Sequence, residues 1–202
     1  MPKMNDAKTM ASYISCLSML ENNTSLLYRS LSEKTGNTLA KSLLLSIAKD
    51  SSKHSELLKG LSESIVSSEV KTKDCAKNLG QIWLNVDSYF NEVTSKKVGE
   101  LSFADLDEKL ISLESSLGEE YYIFVQMQTL QHLTSLINRS YNIDLDSVKS
   151  IFENIIRDEN RHIEVIGTLK KLVEPQQKEY DYTPIVKYQS PDRWLNFTPD
   201  SP

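Results

Sequence analysis

The chain is predicted to be all-α: a four-helix bundle, with a crossover helix between the second and third bundle helices and an extended C-terminal tail. Three observations carry that expectation. Four stretches repeat apolar residues in steps of four and three, the spacing that lays one stripe along a helix. Only six Gly and six Pro occur in 202 residues, and after Pro2 the prolines begin at Pro175. Finally, the second stretch lies along the fourth when shifted by 108 residues, which points to a repeat of two helix pairs.

Taken in order, the first stripe is Met10, Ile14, Leu17, Glu21, Thr24, Tyr28 and Leu31, on a helix from about Ala7 to Lys34. Thr35-Gly36-Asn37 stops it, with Gly36 as the expected C-cap, and so short a connection implies an antiparallel neighbour. The second helix is expected to start at Thr38 as N-cap, with the stripe Ala40, Leu44, Ile47, Ser51, His54, Leu58, Leu61 and Ile65. One crossover helix, Cys75 to Val93, follows; it carries Leu79, Ile82, Trp83, Val86, Tyr89 and Phe90 and reads as a packing or interface helix. The third bundle helix begins near Ser102, its N-cap, and its stripe is Leu106, Leu110, Leu113, Leu117, Glu120, Phe124, Met127, Gln131 and Thr134. Tyr141 to Asp144 reads as a loop, and Asp146 or Ser147 caps a fourth helix. Its stripe is Val148, Phe152, Ile155, Glu159, His162, Ile166, Leu169 and Val173. The bundle domain is thus residues 1–174. Residues 175–202 hold five prolines with Tyr180, Tyr182, Tyr188, Trp194 and Phe197, which suits an extended segment laid on the bundle or on a second subunit.

Composition narrows the function classes. With 39% hydrophobic and 25% charged residues, the chain suits one soluble domain with a sizeable core. A net charge of -5 without a basic cluster argues against nucleic acid as partner. No apolar run approaches the ~18 residues of a membrane span, and the first residues lack the apolar core of a signal peptide. Cys16 and Cys75 form no Cys-x-x-Cys pair; they read as buried thiols, which fits a cytoplasmic address. The Asn22-Asn23-Thr24 sequon falls inside a helix and is discounted.

The chemistry lies in the polar residues that interrupt the stripes. Burying a carboxylate or an imidazole in an apolar seam is costly unless it is paired or bound to a metal. Glu21, His54, Glu120, Glu159 and His162 come from four helices and gather two of the three histidines; His132 lies off the stripe. Glu119 and Glu114 neighbour Glu120, and a slip in register would promote either. Glu159 and His162 form a Glu-x-x-His pair on one helix face, a ligand pattern of di-iron and di-manganese bundles. In the repeat, Asp50 falls on Asp158, His54 on His162, Lys41 on Lys149 and Leu61 on Leu169.

On Glu21 with Tyr28 seven later, Ser51-Ser52-Lys53-His54, Glu119-Glu120-Tyr121-Tyr122 and Glu159-Asn160-Arg161-His162, the chain resembles the ferritin-like superfamily, in particular the erythrin domain of rubrerythrin, over roughly residues 7–173. The resemblance implies one or two Fe or Mn ions held by Glu21, His54, Glu120, Glu159 and His162, and oxidoreductase chemistry on oxygen, peroxide or ferrous iron. Tyr28 would donate a hydrogen bond there. Ser51 stands where the family's second-helix Glu would bridge both metals, opposite Glu159. A neutral hydroxyl brings neither charge nor bidentate reach, so a second ion would bind weakly or be absent. Asp50 cannot substitute, because it points about 100° away around the helix. Without a Cys-x-x-Cys pair, electrons would come from a separate protein, and a homodimer is expected. The alternatives are a non-catalytic binding or structural protein on a degenerate scaffold of this kind, and a hydroxylase-like enzyme.

Overall fold

In the computed structural model, residues 7–66, 72–97, 106–122 and 145–173 are described. The tail 175–202 and the loop 141–144 lie outside them, as do Ser102 and the stripe positions from Phe124 to Thr134. The described part is all-helical. Its elements are α1 (Ala7–Lys34), α2 (Thr38–Ile65), α3 (Thr72–Leu79), α4 (Gln81–Ser95), α5 (Asp107–Ser115), a π-helical continuation of α5 (Ser116–Tyr122), and α6 (Leu145–Val173). No described helix is long and apolar enough to cross a membrane.

Helices α1 and α2 contain no proline, and each runs 28 residues, about 42 Å at 1.5 Å per residue. They make the broadest contact among the described helices. All seven stripe positions of α1 are buried, as are those of α2 as far as Leu61. Serines let the two backbones approach closely. Ser25 Oγ donates to the Ala48 carbonyl at 2.7 Å, Ser62 Oγ to that of Ala11 at 2.7 Å, and Ser18 Oγ to that of Ser55 at 2.8 Å. Helix α6 packs on α2 and on α5 with its π-helical continuation, while α3 and α4 lie against α1.

Several sequence expectations are corrected. The N-cap of α2 is Asn37, not Thr38: its side chain accepts from the Leu39 and Ala40 N–H groups, both at 3.0 Å. An amide carbonyl one residue earlier outcompetes the threonine hydroxyl for those donors. Gly36 adopts no left-handed conformation, so it does not serve as that type of C-cap. The single crossover helix is two, broken at Gly80, the only described residue with positive φ (58°), a backbone state that glycine enters at little cost. The break lets Cys75 and Leu79 on one side, and Ile82, Trp83, Val86 and Val93 on the other, all reach the core. Helix α6 already starts at Leu145, so Asp146 and Ser147 sit inside it rather than capping it.

The cysteines are also corrected. Cys16 on α1 and Cys75 on α3 form a disulfide, with Cα atoms 5.0 Å apart. Helical geometry brings together two thiols that are 59 residues apart in the chain. The support that free thiols lent to a cytoplasmic address goes with that reading.

Candidate metal centre

The polar interruptions of the stripes converge where α1, α2, α5 and α6 meet. Glu21, His54, Glu114, Glu159 and His162 are each at most 1% exposed. His54 Nδ1 lies 3.0 Å from Glu159 Oε1 and 3.7 Å from Glu21 Oε1. His162 Nδ1 lies 3.0 Å from Glu114 Oε2 and 3.6 Å from Glu159 Oε2. The two imidazole centroids are 6.2 Å apart. Two triads result among the described residues, Glu21–His54–Glu159 and Glu114–Glu159–His162, each with its ligand atoms within 4.8 Å of one another. Glu159 belongs to both, one oxygen towards each histidine.

Four of the five residues singled out from sequence thus stand together. The side chain of Glu120 lies outside the described residues. The carboxylate that α5 brings to the cluster is Glu114, reached by the register slip left open from sequence. The buried face of α5 is wider than one stripe and includes Leu110, Leu113, Glu114 and Leu117. The π-helical stretch then changes the register beyond Ser116, so extrapolating an α-helical stripe to Glu120 has no basis there. In this stretch a Cβ on Gly118 would come within 2.9 Å of Glu159 Cβ. Only a glycine lets the α5 continuation approach α6 at the shared carboxylate.

Two tyrosines orient the outer carboxylates. Tyr28 Oη donates to Glu114 Oε1, and Tyr122 Oη donates to Glu21 Oε1. Burial first, and then the nearby carboxylates, push both phenols well above their ordinary pKa, so both remain proton donors. Tyr122 was not assigned a role from sequence. Its signal is faint: Tyr28 follows Glu21 by seven residues and Tyr122 follows Glu114 by eight, the extra residue falling in the π-helical stretch.

Behind the histidines lie two aspartates that match in the repeat. His54 Nε2 is 3.1 Å from Asp158 Oδ2, a hydrogen bond from α2 to α6. His162 Nε2 is 3.5 Å from Asp50 Oδ2 in the reverse direction, without hydrogen-bond geometry. Lys53 and Arg161 tie both aspartates at the rim: Lys53 Nζ is 2.7 Å from Asp158, and Arg161 Nη2 is 2.6 Å from Asp50. The Asp158 carboxyl is held down at about 2; burial opposes this, but Lys53 and His54 outweigh it.

The protonation pattern follows from crowding. Burial alone would depress the His54 pKa, but Glu159 and Glu21 lift it to about 10. Likewise Glu114 and Glu159 carry His162 to about 11 against burial. Glu159 is pushed up to about 8, by burial first and then by Glu21 and Glu114. Burial works to raise Glu114 too, but His162 and the hydrogen bonds around it hold it below its usual value. Without a metal the cluster holds extra protons.

The donor set fits divalent iron or manganese: carboxylate oxygens and imidazole nitrogens, with no thiolate. Both Glu159 oxygens, Glu21 Oε2 and His54 Nδ1 are buried without a hydrogen-bond partner. Their close contacts lack hydrogen-bond geometry, and unpaired buried carboxylate oxygens and an imidazole nitrogen are costly unless a cation takes the shared lone pairs. The Asp158–His54 hydrogen bond is the orientation that a carboxylate imposes on a ligating histidine. In comparisons with protein-family models, curated proteins and solved structures, nothing matches the chain.

Proposed function

We propose that the chain is a ferritin-like four-helix bundle, of α1, α2, α5 with its continuation, and α6, that holds Fe or Mn and acts as an oxidoreductase on oxygen, peroxide or ferrous iron. One observation carries this reading. Glu159, fully buried and shared by two histidine-containing triads, makes no well-formed hydrogen bond on either oxygen among the described residues; its oxygens face His54 Nδ1 at 3.0 Å and His162 Nδ1 at 3.6 Å. Glu21 and His54 would hold one ion, Glu114 and His162 the other, and Glu159 both. The bound metal would supply a redox-active Lewis acid able to engage oxygen or peroxide.

The chain's own contribution is positioning and proton control. Asp158 fixes the His54 ring so that Nδ1 faces the carboxylates. Tyr28 and Tyr122 hold one oxygen each of Glu114 and Glu21 and leave the other side of each carboxylate to the centre. His54, His162 and Glu159 hold protons that a bound metal would have to displace, so affinity should rise with pH. Electrons would arrive from a separate protein, and a homodimer is part of the same proposal.

Metal analysis of protein purified without chelator tests the reading. About one to two equivalents of Fe or Mn are expected, and less than about a tenth of an equivalent of any transition metal would sink it. Ser51, in the repeat position of Glu159, favours a second reading: a binding or structural protein in which the same groups only pair with one another. That reading expects an unchanged melting temperature on chelation, whereas the metal reading expects a marked drop.

A further inference from the structure

The two halves of the centre differ at one inward position. In the 108-residue repeat, Asp158 falls on Asp50 and His162 on His54, but Glu159 falls on Ser51. Ser51 is 1% exposed and lies one turn before His54 on the buried face of α2, and its hydroxyl has no partner among the described residues. Helical serines and threonines commonly turn back onto the carbonyl one turn earlier. Ser42 does so onto Thr38 at 3.0 Å, and Thr94 onto Phe90 at 2.8 Å. Ser51 does not. Neither does Thr24, one turn beyond Glu21 on α1, whose fully buried hydroxyl also has no partner. Helices α1 and α2 therefore each bury a hydroxyl donor without an acceptor, a turn away from a ligand of the same half.

Charge points the same way. Two divalent ions would bring four positive charges; among the described residues Glu21, Glu114 and Glu159 supply three negative ones, and ligating histidines are neutral. One monoanion makes up the balance. Where serine carries a hydroxyl on Cβ, glutamate carries a carboxymethyl group, which has the charge and nearly the shape of an acetate ion. We infer that the α1–α2 half takes up a small monocarboxylate from solution, with Ser51 and Thr24 as its hydroxyl donors, in the role that Glu159 plays in the other half. This rests on the metal-centre reading above.

The test titrates the metal-free full-length protein with Mn(II) by calorimetry, in acetate and in chloride of equal ionic strength, with electron paramagnetic resonance reporting coupled manganese pairs. For the wild type, the second Mn(II) is expected to bind about tenfold or more tighter in acetate, the scale of losing a supporting carboxylate. Ser51→Glu should bind both ions equally well in either salt. Ser51→Ala and Thr24→Val should keep the ions but shrink the acetate effect, and they carry the test should Ser51→Glu not fold. Equal second-ion affinity in the two salts for the wild type would overturn the inference while leaving the metal centre standing. So would an acetate effect undiminished in Ser51→Glu. An acetate effect that is absent in the wild type and appears in Glu120→Gln would assign the role to a carboxylate of the chain itself. If neither wild type nor Ser51→Glu binds Mn(II) in any salt, the metal reading falls, and the inference with it.

Discussion

The α1–α2 half and the α5–α6 half bring nearly the same parts to the centre. One supplies Glu21, Tyr28, Asp50 and His54; the other Glu114, Tyr122, Asp158 and His162. Each half contacts the other's candidate ligands. Tyr28 bonds Glu114 and Tyr122 bonds Glu21, while Asp158 bonds His54 and Asp50 faces His162. Exchange of this kind makes neither half complete alone, because Glu114, Glu21 and His54 are each held by a hydrogen bond from across the interface. Three differences remain. Glu159 has Ser51 as its counterpart, the second half contains a π-helical stretch and Gly118, and only the first half is tied by a disulfide, from α1 to α3.

Replacing the shared carboxylate breaks the comparison most severely. Glu159→Gln should reduce bound metal to below about a tenth of an equivalent, because both triads lose a ligand. Next comes the disulfide. Cys16→Ser with Cys75→Ser should cost about 2–4 kcal/mol of stability, given the 59-residue separation closed by the bridge. Denaturant unfolding measures this, and a loss confined to α1–α4 in hydrogen exchange would sharpen the contrast between halves.

Gly118→Ala should cost roughly 1–3 kcal/mol by overpacking and weaken metal binding as well, since its Cβ would press on Glu159. Gly36→Ala, with open space around its Cβ, is the control and should change little. The pH dependence of the metal-free protein follows from the raised groups. Folded His54 and His162, at about 10 and 11 against 6.5, add stability that is full below 6.5 and is lost as pH rises through those values. Glu159, at about 8 against 4.5, works in the same direction. The melting temperature of the metal-free protein should therefore fall from about pH 7 to about pH 10, and metal should flatten that slope. Asp158 acts oppositely, its contribution fading as pH drops from 3.8 towards 2. The smallest effects concern the aspartates. Asp158→Asn should weaken metal binding about tenfold, and Asp50→Asn by less, because only the first pair is hydrogen-bonded. Equal effects would mean that both rings are fixed alike.

The sequence by itself determined the all-helical class, the buried stripes of α1, of α2 as far as Leu61 and of α6 from Phe152 to Leu169, and the presence of Glu21, His54, Glu159 and His162 among apolar neighbours. Those signals are local: helical spacing puts residues three and four apart on one face, and a charged residue in such a face stands out. What only the tertiary structure decided depends on contacts between elements. Glu114 is the described carboxylate that α5 brings to the cluster, and the π-helical stretch after it breaks the α-helical register on which the Glu120 expectation rests. Tyr122 and the Cys16–Cys75 bridge join residues 101 and 59 positions apart, across helix interfaces that no periodicity encodes. Gly80 shows the same division: a glycine is visible in the chain, but its left-handed turn, and the two helices it separates, follow from packing against α1.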